Sequence, residues 1–597
     1  MKLILSYMKP HFRSMVVGFV IKFTGTIMDL FLPWILAYII ETVVPTKNIG
    51  NVWLWGLAMI GCAIIAVLGN IIANRMASAV ARDSMRTLRN DVFTKITYLS
   101  CEQIDEFSES SLISRMTSDT YNIHHVMGMM QRLGVRAPIL LMGGIGITMT
   151  LDPVLSSILV ITLPFLAVVV IFVAKKGIPL YKLHQKASDG MIDKVRESVD
   201  GIRVIKALSK TGHEQEQFEH VNDQVVDREK KAGYTMAVTS PVMNFLLNMG
   251  WVAIILVGAI RVHAGLTQPG KIIAFLTYFT IILNAMLSIT RLFVMYSKAG
   301  SSAARISQIL EAEDGLAVES ILEDVSNNDS GHDTMQDKAD SASGKSAMPQ
   351  AMESNDTDRY IEFDHVSFSY NGRVSNIKDM TFSIGRHQSL GIIGGTGCGK
   401  TTIISLLMRL YDVNGGSIRV DGVDVRNYEP EELHSLFGAV FQNDTIFEDT
   451  VSENIKLGRE IDDEKMKDSA RCVLIEQHIL GLEDDYNSYL AIKGNNLSGG
   501  QKQRLLISRA VAGNPKILVL DDSSSALDYK TDAAIRKNIE ESCKDATIII
   551  IAQRVSSVMN CDHIIVVDNG QIIGAGNHEE LLESCQEYRM ISELQKA

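Results

Sequence analysis

Six stretches of this chain are apolar over enough residues to cross a lipid bilayer, and this constrains the fold before any motif is read. They run about Ser14–Val44, Val52–Ala77, Val135–Leu151, Leu155–Ala174, Met243–His263 and Ile272–Met295. A bilayer core takes roughly 20 residues of helix, and inside it every backbone polar group must be paired within its own segment. The third and fourth stretches are divided only by Asp152-Pro153, a tight-turn pair. Hydrophobic residues make up 46% of the chain and charged residues 21%. That mixture fits a protein that is part membrane and part soluble.

The connections alternate. Pro45–Asn51, Asp152-Pro153 and Ala264–Gly270 are short, whereas the other two loops are each about sixty residues and rich in charge. Within the long loops, Ala79–Tyr98 and Met191–Val204 read as helix. Long helices therefore project from one membrane face. Arg75, Arg82, Lys175 and Lys176 flank that face, which the positive-inside rule assigns to the cytosol. Leu3–Phe12 is amphipathic and reads as an interfacial helix before the first span.

The net charge of −12 belongs mostly to one segment, since residues 313–358 hold twelve Asp/Glu against two Lys. This segment is rich in Ser, Asp, Asn and Gly and reads as a flexible acidic linker, helical at most near Leu316–Val325. It divides a membrane domain, 1–312, from a soluble domain, 359–597. No basic tract suggests a nucleic acid partner. The seven cysteines have no metal-ligand spacing and read as reduced thiols.

In the soluble part, strand-like runs (Tyr360–Phe368, Ser389–Ile393, Lys516–Leu520, Thr547–Ile551, His563–Val567) alternate with helical stretches, the pattern of an α/β domain with a mostly parallel sheet. Gly394-Gly395-Thr396-Gly397-Cys398-Gly399-Lys400-Thr401 lies between an apolar strand and a helix beginning at Thr402. This is the context of a phosphate-binding loop. Its glycines let backbone N–H groups converge on phosphate oxygens at a helix N-terminus. Lys400 is expected to reach the terminal phosphates of ATP, and Thr401 to coordinate Mg²⁺. Asp521 closes the apolar run Leu518–Leu520 and is expected to hold the same Mg²⁺.

Leu497-Ser498-Gly499-Gly500-Gln501, followed by Lys502-Gln503-Arg504 and then the Asp521 strand, resembles the signature of ATP-binding cassette (ABC) transporters. A six-span domain with long intracellular loops joined to one such module resembles a half-transporter of the ABC exporter type. The resemblance implies a helical membrane domain fused to an α/β nucleotide-binding domain. It places the chain in the cell membrane as a multi-pass protein with a cytoplasmic nucleotide-binding domain. It further implies that Tyr370 stacks on adenine and that Gln442 contacts Mg²⁺. Ser498, Gly499, Gly500 and Gln501 serve ATP held by an opposing subunit, and Ser525–Asp528 runs between the two sites. Leu112–Asp119 and Glu197–Lys206 resemble intracellular loops that carry coupling helices.

Three positions depart from the family pattern. Asp522 stands where the family has the glutamate that orients the attacking water. Its side chain is one methylene, roughly 1.5 Å, shorter, and a misplaced base typically costs ~10²–10⁴ in rate. Gln553 stands where the family has a histidine, and it cannot carry a proton. Ile492, in Ala491–Gly494, replaces a carboxylate. With an intact phosphate loop and signature, the pair Asp522 and Gln553 implies a degenerate ATP site and a heterodimer with a second half-transporter. Drift in a slow homodimer is the alternative.

Lys22, Asp29, Asn70, Asn74, Asn244, Asn248, Asn284 and Arg291 fall in or near the spans. They read either as a polar cavity for a small lipophilic or amphipathic cargo, or as helix-pairing and snorkelling groups. The expected function is ATP-driven export of lipophilic compounds, with lipid or peptide export as the alternative.

Overall fold

The computed structural model describes residues 1–313, 315, 359–370, 372 and 374–596. The expected linker 313–358, including Leu316–Val325, lies outside the described residues apart from Glu313 and Gly315. The chain divides into two units, one of Met1–Tyr98 with Phe107–Glu313, the other of Leu99–Glu106 with Asp314–Ala597.

The first unit is helical. Its principal helices are Phe12–Tyr38, Ile49–Thr97, Thr120–Leu151, Pro153–Phe172, Ile178–Asp200, Thr211–Ala237, Thr239–His263 and Pro269–Leu310. Among the described residues, five helical segments are long and apolar enough to cross a membrane. The remaining expected span, Leu155–Ala174, coincides with the helix Pro153–Phe172, whose apolar run Pro153–Val169 is shorter than the others. The helix Ile49–Thr97 has 49 residues. At about 1.5 Å per residue it measures about 74 Å, more than twice a bilayer core of roughly 30 Å. One such helix therefore supplies both a span and a long extramembrane arm. Its membrane part exposes Leu54, Leu57, Ile60, Ile64 and Leu68, a face suited to lipid.

Small residues and polar pairs hold the bundle together. A Cβ on Gly25 would come within 3.3 Å of the Ala66 carbonyl oxygen, so the first two long helices touch backbone to backbone there. The buried ammonium of Lys22 donates to Asn74 Oδ1 at 2.9 Å. Lys22 is thus a paired interior group and does not snorkel. Asp152 ends one helix and starts the next. Its Oδ1 accepts from the Val154 and Leu155 amides at 3.0 and 3.2 Å, and Pro153 occupies the first helical position.

The second unit carries two sheets built from β1 (Ile361–Phe368), β2 (Ile377–Ile384), β3 (Ser389–Gly394), β4 (Gly415–Val420), β5 (Val423–Asp424), β6 (Phe437–Val440), β7 (Ile517–Asp521), β8 (Thr547–Ala552), β9 (His563–Asp568) and β10 (Gln571–Gly576). One sheet is antiparallel in the order β2-β1-β4-β5. The other runs β10-β9-β3-β8-β7-β6 and is parallel except at β10. The parallel sheet matches the sequence pattern; the antiparallel one is a separate layer that the pattern did not reveal. β7 is buried at every position and β3 at nearly every one, as expected where helices cover both faces of a parallel sheet.

The chain order fixes what this sheet presents. β3, β8, β7 and β6 are successive neighbours, all parallel, so the loops leaving their carboxyl ends lie side by side. Ligands of open α/β sheets bind at such an edge. Leu518, fully buried in β7, is a direct test of this core. Leu518→Ala is expected to destabilise the nucleotide-binding domain by about 2–5 kcal/mol, read as a lowered unfolding transition of that domain by calorimetry.

Candidate functional site

Four chain segments meet at the carboxyl edge of the parallel sheet: the loop after β3, Gln442 just past β6, Asp521-Asp522 at the end of β7, and Gln553 just past β8. They enclose a pocket of about 280 Å³ whose lining includes Lys400, Thr401, Gln442, Asp521, Asp522 and Gln553. Residues far apart in sequence are thus brought within hydrogen-bond distance. The Thr401 hydroxyl donates to Asp521 Oδ2 at 2.7 Å, and Gln442 Nε2 donates to Asp522 Oδ2 at 3.3 Å.

The phosphate loop has its shape because of its glycines. Gly397 and Gly399 have φ of 80° and 107°, angles that β-carbon-bearing residues rarely adopt. At Gly394 a Cβ would stand 2.1 Å from the Val567 carbonyl oxygen, so the strand exit admits no side chain. Lys400 turns back across the loop and donates to the Gly394 and Gly395 carbonyls at 2.9 and 2.7 Å. Thr396 and Thr402 also line the pocket. The Cys398 side chain points inward, with Sγ 3.7 Å from Lys400 Nζ and the residue 6% exposed.

Asp521 is almost wholly buried. Burial pushes its carboxyl above the usual carboxylate range, and the Thr401 hydrogen bond offsets part of that rise. Asp522 follows in the left-handed region with φ of 49°, a conformation that aspartate tolerates. Its amide donates to the Ile551 carbonyl at 2.9 Å, which ties β7's exit to β8.

Tyr370 lies outside the pocket lining. Its exposed ring stands edge-on to Phe368 and Tyr411 at centroid distances of 4.8 and 5.0 Å, and its hydroxyl donates to Thr402 Oγ1 at 3.3 Å. The residue is therefore anchored at the start of the phosphate-loop helix.

The signature segment is not part of this chain's own pocket. Ser498 caps the helix Gly499–Ala512: its Oγ accepts from the Gln501 amide at 3.3 Å, and Gln501 Oε1 accepts from the Ser498 amide at 2.7 Å. This capping box fixes Ser498 and Gly499 at an exposed helix N-terminus. Gly500 packs on the loop 525–528, where a Cβ would meet the Ala526 carbonyl at 3.2 Å.

Three side chains missed by sequence reading organise these loops. Gln503, one turn into the signature helix, donates to the Asp522 carbonyl at 3.1 Å and accepts from the Ala526 amide at 2.9 Å. Gln595, in the helix Gln586–Lys596, holds the Gln553 carbonyl and the Val555 amide at 2.8 Å each. Asn376 lines the pocket and accepts from the Tyr370 amide at 3.3 Å. Only Gln503 had a sequence signal, its fixed spacing from Gly499-Gly500.

Both segments expected to carry coupling helices, Glu197–Lys206 and Leu112–Asp119, belong to the first unit. There Asp119 is paired with Arg305, and Arg115 donates to the Arg305 carbonyl at 2.7 Å. The stretch grouped with the second unit is Leu99–Glu106, where Asp105 accepts from the Tyr411 hydroxyl at 2.7 Å. That contact together with burial raises the Tyr411 phenol above its ordinary range, burial being the larger cause.

A helical membrane domain joined in one chain to an α/β phosphate-loop domain defines a subunit of an ATP-driven membrane transporter. Models of two families match: the ABC transporter transmembrane region over residues 15–286 and ABC transporter over residues 377–525. The uncharacterized ABC transporter ATP-binding protein YfiB of Bacillus subtilis is 31% identical over 99% of this chain and 98% of its own length. A fatty acid ABC transporter ATP-binding/permease protein of Mycobacterium tuberculosis is 28% identical over 85% of this chain and 76% of its own. The solved structure of a bacterial Atm1-family ABC exporter with ATP bound shares the fold, with a TM-score of 0.78 at 20% identity over 98% of each chain.

The chain belongs to the ABC transporter family, with the exporter-type membrane domain and the ATP-binding domain on one polypeptide. It is a multi-pass membrane protein with a cytoplasmic nucleotide-binding domain, and ATP hydrolysis drives its transport. Removing the charge at the loop is a direct check of the pocket. A hydrogen bond to a charged group is worth about 1.5–3 kcal/mol, so Lys400→Ala is expected to lower ATP affinity roughly tenfold to a hundredfold, measured by titration with a fluorescent ATP analogue.

Proposed function

We propose that this chain is one half of a heterodimeric exporter of lipophilic or amphipathic compounds, and that the ATP site built on its own phosphate loop is degenerate. Its membrane domain is 1–312 with six spans and its nucleotide-binding domain 359–597, joined by the acidic segment.

In this reading ATP is held by the phosphate loop, with Lys400 on its terminal phosphates and Tyr370 beside the adenine. Mg²⁺ fits the donors present, because Thr401, Asp521 and Gln442 offer hard oxygen atoms in one pocket. Among the described residues no group of three or more His, Cys, Asp or Glu could hold a metal ion. The ion's other ligands would therefore be phosphate and water, the usual arrangement for Mg²⁺. Bound there, it would neutralise charge on the phosphates; the protein's share is to orient Thr401 and Asp521.

The observation that carries the degenerate-site reading is the state of Asp522. Its short carboxylate accepts a hydrogen bond from Gln442 at 3.3 Å, and its neighbour across the pocket is Gln553, which has no titratable proton. A base that is drawn back and occupied positions water poorly. Ser498 and Gly499, exposed at a capped helix N-terminus, and the half-buried Gly500 beside them are suited to meeting the γ-phosphate held by a partner. Asymmetry follows: this chain supplies a sound signature to the partner's site and a weak base to its own. A lipophilic cargo is in keeping with the fatty acid transporter among the relatives.

Purified without a partner and reconstituted in lipid, the chain is expected to bind ATP and to hydrolyse it barely above background. Asp522→Glu combined with Gln553→His is expected to raise turnover by ~10² or more. Wild-type turnover of tens per second in the unpaired chain would sink the degenerate-site reading.

A further inference from the structure

The membrane unit contains a cavity of about 400 Å³, within the usual range of small-molecule sites. Its walls combine apolar side chains, among them Leu133, Leu140 and Ile281, with the charged pair Asp29 and Arg136. Asp29 lies on the helix Phe12–Tyr38 and Arg136 on the helix Thr120–Leu151; they pair at 3.0 Å. Asn70 Nδ2 lies 3.4 Å from the same Asp29 oxygen.

The charge balance of this region is uneven. Arg136 and Arg132 repel the Lys22 ammonium and Asp29 attracts it. Counting Lys22, three cations face one carboxylate. Lys22 is buried and bonded to the neutral Asn74, and Arg132 donates to the Gly128 carbonyl. Neither of these contacts neutralises a positive charge. Arg136 uses one nitrogen on Asp29, while its Nε is buried without a hydrogen-bond partner. A guanidinium that lines an apolar cavity with 43% of its side chain exposed, in an excess of positive charge, is suited to receive an oxyanion. Uncompensated charge among membrane helices is costly and marks ligand pathways.

We propose that this cavity selects an amphipathic anion: a single negative head group seated at Arg136, with Lys22 and Arg132 supplying the field and the apolar walls taking the chain. The assignment rests on the export reading above and names the cargo class for it. Asp29 then acts as the internal competitor, holding Arg136 until the cargo head group displaces it.

The test uses the transporter in nanodiscs of zwitterionic lipid, with its partner subunit or as a self-assembled dimer, and reads displacement of cis-parinarate. Oleate is expected to bind at least tenfold more tightly than oleyl alcohol, and oleylamine more weakly still. Arg136→Gln is expected to abolish the difference between oleate and oleyl alcohol, and Arg136→Lys to keep most of it. Asp29→Asn is expected to tighten oleate severalfold, whereas a purely structural pair predicts weakening. Adding phosphatidylglycerol to the nanodiscs separates the sources: competition with oleate makes a lipid head group the natural anion, and absence of competition makes it a free carboxylate. Equal affinity for oleate and oleyl alcohol, or preference for oleylamine, overturns the proposal even if Arg136→Gln fails to fold. ATP-driven transport of the neutral amphiphile alongside that result would leave the export reading standing, whereas absence of ATP-driven transport of all three amphiphiles would count against export itself.

Discussion

The parallel pairing of β3, β8, β7 and β6 is the constraint on which the nucleotide site depends. Each strand ends at the same edge, so four loops separated by as many as 159 residues, from Gly394 to Gln553, converge without any local motif linking them. Hydrophobic burial of β7 sets the depth at which Asp521 emerges, and the Thr401 hydroxyl meets it there. Asp522 inherits its position from the same strand. Its side-chain length is then the remaining variable that decides where the carboxylate falls. Catalytic weakness in this account is therefore a matter of one methylene and one lost imidazole on an otherwise complete scaffold.

The loops around the pocket are connected by side-chain amides. Gln503 joins the signature helix to the Asp522 carbonyl and the Ala526 amide, and Gln595 joins the last described helix to the backbone on either side of Arg554. Such bonds link the signature helix and the helix Gln586–Lys596 to the backbone just past β7 and β8. The membrane unit uses another device, with pairs such as Lys22–Asn74 and Asp29–Arg136 joining helices across the apolar interior.

Much of this was legible in the sequence, for identifiable reasons. The phosphate loop and Asp521 are contiguous motifs flanked by apolar strands, so the local pattern and the tertiary role agree. The long helices were legible because the bilayer admits little else, and Asp152-Pro153 is legible as a turn because the pair favours turn initiation. What escaped was long-range. The antiparallel sheet β2-β1-β4-β5 is assembled from short strands whose pairing no local signal reports. Leu99–Glu106 belongs with the second unit through Asp105 and Tyr411, which lie 306 residues apart. Lys22 and Asp29 are legible in the sequence as polar groups within the first span. Their different partners, Asn74 and Arg136, depend on packing between helices.

Asymmetry between the two ATP sites is the central claim, and the nucleotide retained by this chain's own site tests it most directly. The dimer would be incubated with Mg²⁺ and ATP labelled on either the α- or the γ-phosphate, freed of unbound nucleotide after several turnovers, and the retained label assigned to this chain by photo-crosslinking of an azido analogue. The account predicts that the site keeps intact ATP, with γ- and α-label retained in a ratio near one. Loss of the γ-label from this chain at the pace of overall turnover would contradict it.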